Sequence, residues 1–358
     1  MKKLHIGILI VSWGWAGAEE MVYQLTSCLL KLNVKISLFV NDELVDHYRD
    51  IKGISIYSLG SINKKDKFSV LVSYYRMRRK LDKILKSNLF DLIHVHLEGS
   101  FFVLSGLTDK YKLPLICTLH GIEIKNYFER TSFLDYRLLK GILERAEAIT
   151  SSNSSQIQNL ENKYKLKTII IPNGVNTKEF KPLKLKREAR VILFAGRLIE
   201  LKGIMELLEV ARQLTKYTFW FAGSGSLSEF INLPNTVKLG FKTRTELIDL
   251  YNRTTICCFP SHYGSFGNVG LESMACGCPV VATKLGFSEY VKNNVNGLIV
   301  EAKNTEQLRE AIVKLMEDVN LRKSLGKNAR ETALKFDWQG IVKKYYNLYK
   351  DVAEKKTS

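Results

Sequence analysis

The residues in this chain best suited to chemistry lie between Pro260 and Thr283, reading PSHYGSFGNVGLESMACGCPVVAT. The pattern is that of a strand end, a glycine-rich loop, a helix opening near Asn268 and a buried strand from Pro279 to Ala282. Glycines at such a turn let a backbone approach a ligand closely. Glu272 falls about one turn into that helix. A carboxylate there can accept both hydroxyl hydrogens of a ribose diol, while the helix N-terminus favours phosphate. A glutamate so placed also serves simply to stabilise its own helix start, and its neighbours must decide between the two. Upstream, Phe194 to Gly203 reads FAGRLIELKG, a strand ending in Ala-Gly with Arg197 and Lys202 in the loop beyond it. Two cations at the C-terminal edge of a parallel strand can grip a diphosphate, arginine through its fork and lysine as a point charge. FAGSGSL, from Phe221 to Leu227, repeats the pattern and brings the backbone of Gly223 toward the same cleft.

Positioning these residues requires sheets. Strand-like runs occur at Ile6 to Val11, Lys35 to Phe39, Ile54 to Ser58, Leu92 to Val95, Leu115 to Leu119, Ala148 to Ser151 and Thr168 to Ile171. Helical patterns fall between most of them, which predicts a parallel sheet covered on both faces. Pro172, Asn173 and Gly174 break the alternation, and the polar, basic stretch from Lys178 to Arg190 reads as a hinge. A second alternation runs through Val191 to Phe194, Thr218 to Phe221, Val237 to Leu239, Ile256 to Phe259, Val280 to Ala282 and Gly297 to Val300, and a last helix from Trp338 to about Asp351. Two doubly wound α/β domains with a cleft between them account for this order.

Composition narrows the class. A chain of 358 residues with 46% hydrophobic content suits two cores, and no apolar run reaches the roughly 20 residues that span a bilayer. The opening MKKLHIGILIVSWGWAG is short in its apolar part and leads into a helix pattern, so it reads as a first buried strand and not a signal peptide. Cys28, Cys117, Cys257, Cys258, Cys276 and Cys278 lie in apolar strands or beside small residues, as reduced core thiols of a cytoplasmic protein do. Adjacent Cys257 and Cys258 point to opposite faces of a strand, which argues against zinc. The net charge of +18 is concentrated: ten Lys or Arg between Lys52 and Lys86 face only Asp66 and Asp82. Much of the excess falls on a helix expected over residues 70–87, with Tyr74, Met77, Leu81, Ile84 and Leu85 as its apolar stripe and Arg76, Arg79, Lys80, Lys83 and Lys86 opposite. Such a face is either solvated or drawn to an anionic membrane surface. No zinc finger or RNA-binding sheet signature accompanies it, so nucleic acid is not expected.

Four motifs in order, PNGVN (Pro172 to Asn176), GRLIELKG (Gly196 to Gly203), AGSGSL (Ala222 to Leu227) and FGNVGLESMACGCPVVAT (Phe266 to Thr283), resemble family 4 of the retaining glycosyltransferases. The likeness extends to Gly17, Ala18 and Glu19, to HVH at His94 to His96, and to TLHG at Thr118 to Gly121. It implies the GT-B architecture of two facing Rossmann-like domains: residues 1–175 for the acceptor, 176–338 for the nucleotide sugar, and a helix of about 339–358 packing back on the first. Carried over by position, it gives Arg197 and Lys202 the donor diphosphate, Glu272 the ribose hydroxyls, Gly17 a backbone approach to the phosphates and His120 a place near the reacting sugar. The substrates implied are a UDP- or GDP-linked sugar and a glycan or polyprenyl-diphosphate-linked acceptor, at or near the inner face of the cell membrane. No cofactor is implied, and the chain lacks an Asp-x-Asp metal motif, so Arg197 and Lys202 take the metal's place.

The sequence departs from the family at two points. Eight positions before Glu272, where the family commonly has another glutamate, stands Gly264, and Ala16 replaces the first glycine of the start motif. Ser265 and the backbone N–H groups of Phe266, Gly267 and Asn268 are the nearest substitutes for the lost carboxylate. Competing readings are a nucleotide-binding GT-B protein with impaired catalysis, a GT-B epimerase or phosphorylase, and a basic polyanion-binding module whose affinity falls steeply with salt.

Overall fold

Each apolar run forms a strand in one of two parallel sheets. In the computed structural model, which describes residues 3–120, 133–154, 168–264 and 266–355, the chain divides into one unit of Met1–Pro172 with Trp338–Ser358 and a second of Asn173–Asp337.

The first unit holds β1 (His5–Ile10), β2 (Lys35–Val40), β3 (Ser55–Ser58), β4 (Leu92–His96), β5 (Leu115–Leu119), β6 (Ala148–Ser151) and β7 (Thr168–Ile170), in the order β3-β2-β1-β4-β5-β6-β7. The strands are almost continuously apolar because helices cover both faces. Ile6, Ile8 and Ile10 of β1 enter one core with Leu92 and Ile116, while Leu9, Ile93, Val95 and Cys117 enter the other. The first core is completed by the Trp338–Lys355 helix, which buries Trp338, Ile341, Val342, Tyr345, Tyr349 and Val352 at the spacing of one helix face.

The second unit holds β8 (Val191–Ala195), β9 (Thr218–Ala222), β10 (Thr236–Gly240), β11 (Ile256–Phe259), β12 (Val280–Thr283) and β13 (Leu298–Val300), in the order β10-β9-β8-β11-β12-β13. Both sheets are doubly wound: strand order reverses between β1 and β4 in the first, and between β8 and β11 in the second. In such sheets, ligands bind at the carboxyl ends of the strands flanking that reversal.

Two expectations about the connections need correction. The basic stretch of residues 178–190 is not a hinge but part of the second unit. Arg187 donates to Tyr251 O and Thr254 O at 3.0 and 2.6 Å, and to Cys276 O and Gly277 O at 3.3 and 3.2 Å. One guanidinium thus collects four carbonyls, most of its donor capacity. The domain boundaries also move. Asn173 to Val175 belong to the second unit, where Val175 N–H donates to Phe336 O, and Trp338 belongs to the first, where it is buried.

The basic helix spans Lys67–Ser87, three residues more than the apolar stripe suggested, because Asp66 caps it by accepting from Ser69 N–H at 2.8 Å. Ser73, Met77, Leu81 and Leu85 are its buried line, Tyr74 and Ile84 are partly buried, and Arg76, Arg79, Lys80, Lys83 and Lys86 are exposed. All six cysteines are free and buried, with Cys257 and Cys278 sulfurs 3.5 Å apart. Among the described residues, no helix is long and apolar enough to cross a membrane.

Candidate functional site

The loops after β8, β9 and β11 meet at one edge of the second sheet. The β8 loop is pinned to the β9 loop by Gly196 N–H to Ala222 O at 2.9 Å and Leu198 N–H to Ser224 O at 2.8 Å. A short 3₁₀ turn, Glu200–Lys202, then ends at Gly203 in the left-handed region, φ +70°. A Cβ on Gly203 would sit 2.1 Å from Pro260 O, and one on Gly223, φ +141°, would sit 1.8 Å from Gly196 O. These glycines let the loops cross one another. The crossing sets the Arg197–Lys202 segment against the loop leading from β11, at the topological reversal.

Arg197 is exposed and Lys202 partly buried, and neither has a carboxylate partner among the described residues. Burial, and secondarily the adjacent Arg197, pull the Lys202 ammonium down to about 8. Two neighbouring cations without a counter-charge form a site that gains from binding an anion.

Glu272 lies within the Asn268–Ala275 helix. Its Oε2 accepts from Tyr251 Oη at 3.2 Å, and Oε1 has no hydrogen-bond partner among the described residues. Burial raises the carboxyl above its ordinary value, opposed by the Arg244 charge and the Tyr251 hydrogen bond. Arg244 is shared, its Nη1 lying 3.1 Å from Glu179 Oε2. Tyr251 and Arg244 escaped the sequence reading. Thr243 and Glu246 form a capping box that opens their helix, but nothing in that motif relates the helix to Glu272.

The start of the Glu272 helix is more occupied than expected. Gly267 N–H donates to Gly286 O at 2.8 Å and Asn268 N–H to Phe266 O at 3.0 Å, while Asn268 Oδ1 accepts from Asn173 Nδ2 at 3.0 Å. The Phe266 ring is buried against Tyr290, and Gly267 is glycine because a Cβ would strike the Phe287 ring at 2.3 Å. Ser265 lies outside the described residues. At Gly264, a Cβ would meet Leu285 O at 3.3 Å, a narrow position with no bulk behind it but backbone. Two residues earlier, His262 Nε2 lies 2.8 Å from Glu206 Oε1, a partly buried pair that spacing alone does not reveal.

In the first unit, Gly17 opens the first helix and is exposed. Its neighbour Ala16 has its N–H held by the buried Glu19 carboxylate at 2.8 Å. This start lies at the β1 side of the reversal. On the β4 side, Leu97 takes a left-handed conformation, φ +66°, directly after His96. His120 is partly buried just beyond β5, its Nε2 lying 2.9 Å from His96 Nδ1. His94 bonds Tyr349 Oη through Nδ1 at 2.7 Å and Thr118 Oγ1 through Nε2 at 2.6 Å. Burial pulls His120 down to about 4 and His94 to about 3, and holds His96 well below its usual value, so all three imidazoles are neutral near pH 7.

Known proteins give a consistent comparison. The family model described as Glycosyl transferases group 1 matches residues 175–332, and the one described as Glycosyltransferase Family 4 matches residues 15–179. An uncharacterized glycosyltransferase of Methanocaldococcus jannaschii is 30% identical over 85% of this chain and 87% of its own length. The N,N'-diacetylbacillosaminyl-diphospho-undecaprenol alpha-1,3-N-acetylgalactosaminyltransferase of Campylobacter jejuni is 28% identical, over 86% and 88% respectively. Sucrose-phosphate synthase of Thermosynechococcus elongatus shares the fold, with a TM-score of 0.87 over 98% of this chain and 99% of that one, at 22% identity.

Proposed function

Because this chain belongs to glycosyltransferase family 4, among the group 1 glycosyl transferases, and has the GT-B fold, we propose that it moves a hexose or N-acetylhexosamine, with retention at the anomeric carbon, from a UDP- or GDP-linked donor to a glycan or polyprenyl-diphosphate-linked acceptor. The observation that carries this reading is the pair Arg197 and Lys202 at the sheet reversal of the second unit, without a carboxylate partner among the described residues, and on the same unit Glu272, whose Oε1 has no hydrogen-bond partner among them. As the bond from anomeric carbon to phosphate oxygen breaks, its electron pair stays with the phosphate and the carbon gains positive charge. Cations fixed on the departing diphosphate stabilise that transition state more than the ground state. They supply the charge a metal would otherwise bring, so turnover is proposed to be metal-independent. Glu272 accepts from the ribose diol, Gly17 offers backbone to the phosphates and His120 hydrogen-bonds the transferred sugar.

A lipid-linked acceptor is supported by the Campylobacter relative, whose name gives it such a substrate. The exposed cations of the Lys67–Ser87 helix, together with Phe68, Leu71 and Tyr75 at 75%, 57% and 60% exposure, support work at an anionic membrane face.

Calorimetric titration with UDP and GDP tests the donor site, and release of that nucleotide from its sugar conjugates on adding a polyprenyl-diphosphate-linked acceptor tests transfer. Lys202→Ala should cut turnover by roughly 10² or more with the fold intact. Near-normal turnover would remove Lys202 from the mechanism, and nucleotide binding without transfer to any acceptor would favour a non-catalytic binding protein.

A further inference from the structure

We infer that His96 fixes His120 as the neutral imidazole protonated on Nδ1, so that His120 meets its ligand as a hydrogen-bond donor through Nδ1–H and not as a base. The inference rests on the assignment of His120 to the transferred sugar and names the atom and the sense of that contact.

His96 Nδ1 and His120 Nε2 are 2.9 Å apart, so one proton lies between them. A neutral imidazole carries one N–H and one lone pair. His96 is fully buried, at 0% exposure, and its Nε2 has no hydrogen-bond partner among the described residues. If His120 donated through Nε2–H, His96 would have to carry its own proton on Nε2, leaving a buried donor with nothing to bond. If His96 donates through Nδ1–H, only a lone pair is left at its Nε2, and orphaned buried N–H groups are the rarer defect. The second arrangement leaves His120 Nε2 as acceptor and puts its proton on Nδ1, on the one ring of the pair that is partly exposed.

His94 cannot substitute as the partner of His96, because Tyr349 and Thr118 occupy both of its nitrogens. It acts as a backing plate: the two rings lie 4.0 Å apart, centroid to centroid, which holds His96 against rotation. Register explains the geometry, since His96 of β4 pairs with Thr118 of β5 and His120 follows two residues later. His96 is therefore a positioning residue. Its consequence for specificity is that the group facing His120 must offer a lone pair, as a sugar hydroxyl oxygen does.

The test is nitrogen NMR of protein labelled with ¹⁵N-histidine, recorded without ligand near pH 7. The expected spectrum shows His120 with a pyrrole-type Nδ1 and a pyridine-type Nε2, and His96 likewise. A protonated His120 Nε2, or an imidazolium, overturns the inference. His96→Asn, whose amide can place an N–H near the former Nδ1, should keep the His120 pattern, whereas His96→Leu should let His120 mix tautomers. Should His96→Leu fail to fold, the parent spectrum still decides.

Nucleotide release from a panel of UDP- and GDP-sugars without acceptor separates the inference from its premise. His120→Asn keeps a donor near Nδ1 and should exceed His120→Gln, whose amide sits near Nε2, by about tenfold, with nucleotide affinity equal in both. Gln exceeding Asn overturns the inference. Parent-like release by Ala, Asn and Gln alike overturns only the premise that His120 touches the sugar.

Discussion

Lys202 is where burial and chemistry meet most directly. Its ammonium titrates at about 8 because burial and Arg197 both oppose the charge, and a bound diphosphate favours the cation and raises that value. Below about 8 the site is already charged, so nucleotide affinity should be flat. Above it, binding must draw a proton from solvent, and Kd should rise by up to tenfold per pH unit. Calorimetry from pH 6.5 to 9.5 in buffers of different ionisation enthalpy reads both the weakening and the proton uptake. Lys202→Arg should flatten the profile, and a flat profile in the parent would mean that Lys202 does not touch the phosphates. Glu272 supports a simpler expectation. Replacing its carboxylate in Glu272→Gln substitutes a partly mismatched amide for a charged acceptor and should weaken nucleotide binding by about 1 to 3 kcal/mol. Equal affinity in mutant and parent would return Glu272 to a structural role beside Tyr251 and Arg244.

At the scale of elements, the Lys67–Ser87 helix is fixed by Met77, Leu81 and Leu85, so its exposed side is free to be altered without disturbing the core. Arg76, Arg79 and Lys83 carry no salt bridge among the described residues, so their reversal to Glu breaks no ion pair among them. If the helix rests on an anionic bilayer, the parent should sediment with vesicles rich in anionic lipid and leave them as salt rises, since surface attraction decays within about 8 Å at physiological ionic strength. The triple reversal should abolish that sedimentation while nucleotide binding, proposed for the other unit, stays at the parent level. Unchanged sedimentation would mean that the basic face is merely solvated.

The whole molecule should be acid-sensitive through the first unit. His94 and His120 titrate at about 3 and about 4 when folded and His96 lower than usual, against about 6.5 in an unfolded chain. Between those limits the unfolded state binds more protons, so stability is fully present above about 6.5 and is lost as pH falls toward 4. The midpoint of urea unfolding should therefore decline steadily from pH 6.5 to 4.5, with amide exchange protection failing in β4 and β5 before the strands of the second unit. A midpoint constant over that range would show these histidines titrating normally.

Much of this was legible in the chain itself. Apolar runs broken by turn residues are local signals, and all the strands named from them are present, down to the reversal of pattern near Pro172. The four ordered motifs, with Arg197, Lys202 and Glu272 inside them, pointed to the family that the comparisons confirm. What only the tertiary structure decided depends on which strands lie side by side. His96 and His120 are 24 residues apart and meet because β4 and β5 pair in register. Gly203 and Gly223 needed the crossing of loops from β8, β9 and β11 before their reason became visible. Residues 178–190 looked like a linker because they are polar, yet polarity says nothing about where Arg187 finds four carbonyls. Composition and periodicity record what each segment must bury. The partner of a buried polar group is set by contacts between distant segments, which no local pattern encodes.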